Sequence, residues 1–208
     1  MNTVPSVTVI GAGNIGSAVA QIALKAGASV QVLTRDAAKA AAVSPQVSAG
    51  TIGEPVLGDI VVLALPYPAF GEVLAAYPAG LPGKVVVDPS NPISFSTGDI
   101  VIDPVGSSAA AELAEKLAGA KVLKAFNTNF AATLASGTTG GVTTAVLVAG
   151  DDADAKSALS SVVTGGGLRV IDAGPLKRAH ELEAIGAVQI GLAVTGQTPW
   201  TGGFAIVE

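Results

Sequence analysis

The run Val7-Thr8-Val9-Ile10-Gly11-Ala12-Gly13-Asn14-Ile15-Gly16 restricts this chain more than any other stretch. A β-branched segment ends in glycines spaced G-x-G-x-x-G and passes without a break into an Ala-rich helical pattern through Lys25. A second strand follows over Ser29 to Leu33. With 26 glycines in the chain the spacing alone carries little weight. Strand, glycine turn, helix and second strand in succession give it meaning, and they predict a dinucleotide site. Gly11 permits the tight turn, Gly13 lets a pyrophosphate reach the backbone, and Gly16 lets helix and strand pack closely. Ala12, Asn14 and Ile15 complete the loop, where the helix N-terminus offers free N–H groups and partial positive charge to phosphate. The alternative is a strand–turn–helix unit with no ligand.

The end of the second strand decides which dinucleotide fits. NAD sites place an acid there, about 20 residues beyond the glycines, to accept from the ribose 2′-hydroxyl. This chain reads Val32-Leu33-Thr34-Arg35-Asp36, with Thr34 and Arg35 where the acid would stand. A guanidinium forks onto phosphate oxygens and stacks on adenine, and a hydroxyl donates to the same phosphate. Lys39, one helical turn further on, adds a third contact, while Asp36 reads as the N-cap of a helix over Ala37 to Val43. The expectation is NADP(H) rather than NAD; a solvated Thr-Arg turn is the alternative.

Strands and helices alternate along the rest of the chain. Strands are expected over Gln46 to Ala49 (weak, at an edge), Asp59 to Leu65, Lys84 to Val87, Lys121 to Ala125, Thr143 to Ala149 and Leu168 to Ile171. Helices are expected up to Ala76 after Pro66-Tyr67-Pro68, over Ser107 to Leu117 with Ser107 or Ser108 as cap, over Asp154 to Val163, and over Pro175 to Thr195. This order predicts an α/β chain with a doubly wound, mostly parallel sheet of the Rossmann type and a C-terminal helical extension. One domain over residues 1–208 is expected, with a nucleotide-binding core of about 1–135, a C-terminal lobe of about 142–208 and a seam at Ser136 to Gly141. Only 13% of residues are charged and the mean hydropathy is +0.59, which buried parallel strands account for.

In such sheets the ligand lies beyond the carboxyl ends of the strands. The glycine loop, Leu65-Pro66-Tyr67-Pro68, Asp88-Pro89-Ser90-Asn91-Pro92 and Ala125-Phe126-Asn127-Thr128 therefore converge on it. Leu65, Pro66, Tyr67, Pro92, Ala125 and Phe126 are expected to line the cofactor. Asn91, Asn127 and Thr128 offer neutral hydrogen bonds to a carboxamide or polar ring, and Asn127 is the candidate for orienting the reacting ring. Asn91 and Asn127 as simple turn formers is the alternative.

Gly11-Ala12-Gly13-Asn14-Ile15-Gly16, Thr34-Arg35-Asp36, Asp88-x-x-Asn91-Pro92, Lys124-Ala125-Phe126-Asn127-Thr128 and Asp172-Ala173-Gly174-Pro175-Leu176 resemble the NADPH-dependent coenzyme F-420 reductase family. The likeness runs over essentially the whole chain and extends to the NADPH-binding domain of six-transmembrane epithelial metalloreductases. It implies NADPH on the glycine loop, its 2′-phosphate at Thr34 and Arg35, and a deazaflavin or flavin stacked on the nicotinamide. The Phe126-Asn127-Thr128 version is similar to a broad bacterial branch of dinucleotide-binding oxidoreductases and differs from the archaeal F-420 enzymes.

Other chemistries lack their residues. There is no Cys, which excludes disulfides, thiolate catalysis and cysteine metal sites. His180, the only histidine, is expected as a solvated residue at the polar start of the last helix, with no second His to complete a zinc site. Asp151, Asp152 and Asp154 precede a helix and read as caps, so no metal is expected. Hydride transfer between stacked rings needs alignment more than a proton-handling side chain, so the lack of an acid/base set suits a ring-to-ring reductase. A non-catalytic NADP(H)-binding sensor is the other reading.

The net charge of −5 argues against nucleic-acid or anionic-membrane partners, leaving a small-molecule acceptor. The uncharged stretches Met1 to Leu24 and Ala184 to Val207 are interrupted by polar residues, Gly or Pro, so neither reads as a membrane span. The first strand begins within ten residues of Met1, and a cytoplasmic location is expected. The tail around Trp200 could close the acceptor pocket, pack on a second subunit in a homodimer, or fill the core.

Overall fold

The computed structural model describes residues 4–94, 99–102 and 107–207. The chain opens with β1 (Val7–Ile10), α1 (Asn14–Lys25), β2 (Val30–Thr34), α2 (Ala37–Ala41) and β3 (Ser48–Thr51). It continues through β4 (Ile60–Leu63), α3 (Phe70–Ala75), β5 (Val85–Asp88), α4 (Ala109–Lys116) and β6 (Lys121–Ala125). Then come α5 (Ala131–Ser136), a short hairpin of β7 (Thr138–Thr139) and β8 (Val142–Thr143), and β9 (Ala145–Gly150). The last elements are α6 (Ala153–Gly165), β10 (Arg169–Gly174) and α7 (Ala179–Val194).

Eight strands form one sheet in the order β10-β9-β6-β5-β4-β1-β2-β3. Strands β1, β2, β4 and β5 are buried along their whole length, which is why they read as unbroken apolar runs. Alternate side chains serve opposite faces. Val62, Val85 and Val87 pack with Ile22 of α1 and Leu159 and Val163 of α6, whereas Val61, Leu63 and Val86 pack with Phe70 of α3 and Leu113 of α4. Side-chain caps start three helices: Asp36 accepts from the Ala38 N–H, Ser108 from Ala111 and Asp152 from Ala155. The weak strand expected near Gln46 is β3, at the sheet edge.

One pairing breaks the parallel pattern. β9 runs antiparallel to β6, with Ala125 opposite Val148. An antiparallel neighbour needs no crossover to the far end of the sheet. Residues 126–144, including α5 and the hairpin, therefore stay at the carboxyl end of β6, where ligands of such sheets bind. Neither α5 nor the hairpin is marked by periodicity in the sequence. Gly140 and Gly141, both at positive φ, turn the hairpin within the expected seam. β10 is parallel to β9 and extends the same sheet. The helix expected from Pro175 begins as a 3-10 turn over Leu176–Arg178, and α7 follows. Among the described residues no helix is long and apolar enough to cross a membrane.

Candidate functional site

The glycine loop closes between β1 and α1. The Gly11 N–H donates to the Leu33 carbonyl at 2.8 Å, tying the loop to the end of β2. Gly11 has φ +109°, a conformation L side chains rarely adopt, and a Cβ there would strike the Ala64 carbonyl. A Cβ on Gly16 would strike the Gly11 carbonyl and come within 3.1 Å of the Ala64 Cβ, so this glycine sets how closely α1 meets β1 and the end of β4. Gly13 is different. It is exposed, a Cβ there would meet nothing within 4 Å, and no side chain caps the helix that begins after it. Open space over uncapped helix N–H groups is what a pyrophosphate requires, and the loop fits one.

Two concavities lie at the carboxyl ends of the strands. The first, about 410 Å³, is lined by Arg35, Thr51, Ile52, Leu65, Pro66 and neighbouring α3 residues, Glu72 among them. Arg35 is exposed here at the tip of β2. Thr34 differs from expectation. It is buried, its hydroxyl donates to the Asp36 carbonyl at 2.5 Å and accepts from the Asp36 N–H at 3.1 Å. Its one proton holds the turn. Lys39 is exposed on α2 and does not line the pocket.

The second concavity is a cleft of about 1020 Å³. Asn14, Ile15 and Gln21 of α1 form one side, Pro89 and Asn91 meet Asn127 and Asn129 at the strand ends, and Phe130, Ile190 and Trp200 line the rest. Asn127 is only 5% exposed. Its Nδ2 donates to Asn91 Oδ1 at 2.9 Å and to the Leu182 carbonyl at 2.8 Å, while Asn91 Nδ2 donates to the Asn127 carbonyl at 2.8 Å. Asn127 Oδ1 is buried with no partner. Phe126, just before it, has φ +68°, a strained choice for a bulky residue and one that recurs at functional sites.

Several predicted cofactor residues lie elsewhere. Ala125 and Phe126 are core residues, 0% and 1% exposed, and act on the site only through the backbone that carries Asn127. Pro92 is buried outside the lining, its carbonyl accepting from the Val101 N–H at 2.7 Å. Tyr67 turns toward α4, donating to Glu112 Oε2 at 2.9 Å and lining a separate cavity of about 250 Å³. Burial and the neighbouring Glu112 carboxylate push its phenol up to about 12. Its prolines aim the chain off β4, and the side chain follows the acceptor on α4.

Behind Asn91 and Asn127 lies a buried ionic cluster that sequence reading missed. Lys124 Nζ, fully buried, donates to Asp88 Oδ2 at 2.8 Å, Glu183 Oε1 at 2.7 Å and the Ser90 carbonyl at 2.6 Å. Glu183 also accepts from the Ala109 N–H at 3.0 Å, which anchors α7 to the first turn of α4. Burial pushes the Glu183 carboxyl above its ordinary range, Lys124 opposes the shift and Asp88 adds to it. The available signal was a lysine inside an apolar strand and a glutamate on an apolar helix. Asn129, also missed, lines the same cleft as Asn127. His180 is half-buried rather than solvated, with Nδ1 3.1 Å from the Ser107 carbonyl. Asp152 caps α6 as expected, and Asp151 accepts from the Leu176 N–H. Among the described residues no group of three or more metal-ligating side chains is placed to hold an ion.

Comparison with known proteins agrees with this geometry. Residues 6–92 match the family model described as NADP oxidoreductase, coenzyme F420-dependent. The chain is 31% identical over 151 residues to the F420-dependent NADP reductase of Methanocaldococcus jannaschii, an alignment covering 70% of this chain and 66% of that one. It is 29% identical over 183 residues to the metalloreductase STEAP3 of Rattus norvegicus, covering 87% of this chain but only 36% of that protein. A crystal structure of a candidate F420-dependent NADP-reductase from Arthrobacter sp. FB24 superposes with a TM-score of 0.81 at 27% identity, covering 98% of this chain and 100% of the other. The glycine loop, the sheet that carries it and these relatives together place the chain in the family of F420-dependent NADP oxidoreductases.

Proposed function

We propose that this NADP-dependent oxidoreductase passes a hydride between NADPH and a flat ring acceptor of the flavin or deazaflavin (coenzyme F420) type. The observation that carries the reading is a pair of concavities at the carboxyl ends of the strands, one with a guanidinium and one with fixed amides, aromatic rings and the first residues of α1 after the glycine loop. The first fits the adenosine and its 2′-phosphate, and the second has room for the nicotinamide and a second ring. When bound, the dihydronicotinamide supplies two electrons and one proton as hydride from C4.

The chain's own residues bind and align. Arg35 neutralises the 2′-phosphate, the N–H groups after Gly13 hold the pyrophosphate, and Asn127, pinned by Leu182 and Asn91, presents its free Oδ1 to a carboxamide N–H. Phe130 and Trp200, with ring centroids 4.9 Å apart, give the cleft an aromatic wall. The reading includes a cytoplasmic location and a second copy of this chain as partner. Ile185, Val188 and Leu192, exposed along α7, support the latter.

NADPH oxidation is measured against F420, FMN, riboflavin, quinones and ferric chelates, with turnover expected on one of the tricyclic rings. Gly13→Val is expected to fold normally, since its side chain enters open space, and to lose binding of NADPH and NADH alike. Tight NADPH binding without turnover on any acceptor would make the chain a sensor, and normal binding by Gly13→Val would move the phosphate site elsewhere.

A further inference from the structure

Asn129 lies one turn of chain beyond Asn127 and has no role in the reading above. It is 8% exposed and lines the large cleft next to Phe130 and Trp200. Its Nδ2 donates to the Ala145 carbonyl at 3.0 Å, and its Oδ1 is buried without a partner. The orientation of this amide is fixed, because a carbonyl oxygen accepts only from the nitrogen side. The same holds for Asn127, whose nitrogen faces the Leu182 carbonyl. A buried acceptor left unmatched is costly, and each of these amides leaves one for a donor to fill.

The lining of this cleft is also uncharged. Among the described residues that form it there is no Lys, Arg, Asp, Glu or His. The adenosine-side pocket differs, holding both Arg35 and Glu72. An anionic substituent on a second ligand would find no counter-charge in the cleft, and the chain's net charge of −5 offers it no general attraction.

We propose that Asn129 is a specificity residue whose Oδ1 accepts from a ring N–H of the electron acceptor, and that the cleft recognises an uncharged tricyclic ring rather than an anionic tail. The inference rests on the reductase reading. Isoalloxazines and deazaflavins carry such an N–H between two carbonyls, and the Phe130–Trp200 pair offers a stacking wall beside the amide. In the step itself a C–H bond of the dihydronicotinamide breaks and its two electrons and proton form a bond at position 5 of the oxidised ring. N1 of that ring takes a proton from solvent, which gives NADP+ and the 1,5-dihydro ring.

Initial rates of NADPH oxidation are compared for riboflavin, 3-methylriboflavin, FMN and F420, with NADPH affinity measured separately by fluorescence. Riboflavin is expected to match or exceed FMN and F420 in kcat/KM. Methylation of N3 is expected to lower kcat/KM about tenfold or more, because the methyl removes the donor and leaves Asn129 Oδ1 unmatched. In Asn129→Ala that discrimination is expected to vanish while NADPH affinity stays unchanged, and unchanged affinity also reports an intact fold. Preference for FMN or F420 over riboflavin by tenfold, or equal rates with and without the N3 methyl in the unaltered protein, overturns the inference and leaves the reductase reading standing. No turnover on any ring despite NADPH binding overturns both.

Discussion

The pocket at Arg35 and the cleft at Asn127 take opposite routes to specificity. Arg35 is one exposed charge at the tip of a strand, in a turn that Thr34 and Asp36 close by hydrogen bonds two residues apart. Asn127 is neutral and buried, and its partners come from 36 and 55 residues away. On the proposed reading the guanidinium of the first site, bathed in water, discriminates by charge and tolerates small displacements. The second must hold a ring at reacting distance, where a displacement of about 1 Å can cost on the order of a hundredfold in rate. Affinity for the cofactor is thus assigned to a local feature and alignment to a long-range one.

The sharpest way to break that division is at Lys124. Its ammonium ties the end of β5, β6 and α7 together behind the amides, and its loss leaves Asp88 and Glu183 buried without a cation. Removing one member of a buried ion pair costs about 3–5 kcal/mol. Lys124→Met is expected to lose stability on that scale in urea unfolding, whereas Glu183→Gln, which keeps an acceptor for Lys124 and Ala109, loses less. The pH dependence reads Glu183. A carboxyl whose folded pKa is raised contributes stability that is complete below its unfolded value and declines as pH rises through the folded one. Stability of the unaltered protein should therefore fall over that interval, above the ordinary glutamate range, and Glu183→Gln should flatten the fall. An unchanged slope would shift the titration away from Glu183.

The same division explains what the sequence made legible. Gly11, Gly13 and Gly16 act through spacing within one turn: a Cβ at Gly11 or Gly16 would strike backbone, and Gly13 leaves open space. Asp36 and Asp152 cap helices because their targets lie two or three residues ahead. Tyr67 was misjudged because its partner, Glu112, is 45 residues away. Lys124 and Glu183, 59 residues apart, carry no shared periodicity and meet only because β9 reverses direction and α7 packs back over the strand ends. Antiparallel β9 also accounts for Asn129, since its nitrogen finds Ala145 only when that strand starts beside the end of β6.

Asn127→Ala tests the alignment half. It deletes the amide that spans Asn91 and Leu182, and turnover is expected to fall on the order of a hundredfold with whichever acceptor proves active. NADPH affinity should change far less, because the pyrophosphate and 2′-phosphate contacts lie on other residues. Equal losses in kcat and in affinity would make Asn127 part of cofactor binding and erase the contrast with Arg35.

Arg35→Ala carries the smallest expected effect and tests the affinity half. Thr34 is committed to its turn and Lys39 lies outside the pocket, so on the proposed reading one guanidinium is left to carry a preference for the 2′-phosphate. An exposed charge-assisted contact is screened by water and salt, and Glu72 in the same wall subtracts from it. The expected preference of the unaltered protein for NADPH over NADH is accordingly about tenfold, or about 1.4 kcal/mol. In Arg35→Ala NADPH should weaken by that factor, NADH should hold its affinity, and kcat at saturation should stay level. The NADPH advantage should also shrink with added salt in the unaltered protein and show no such dependence in the variant. A parallel loss for both cofactors would mean that Arg35 shapes the pocket rather than reads the phosphate, and the division between a local charge and a distant alignment network would fail at its simpler end.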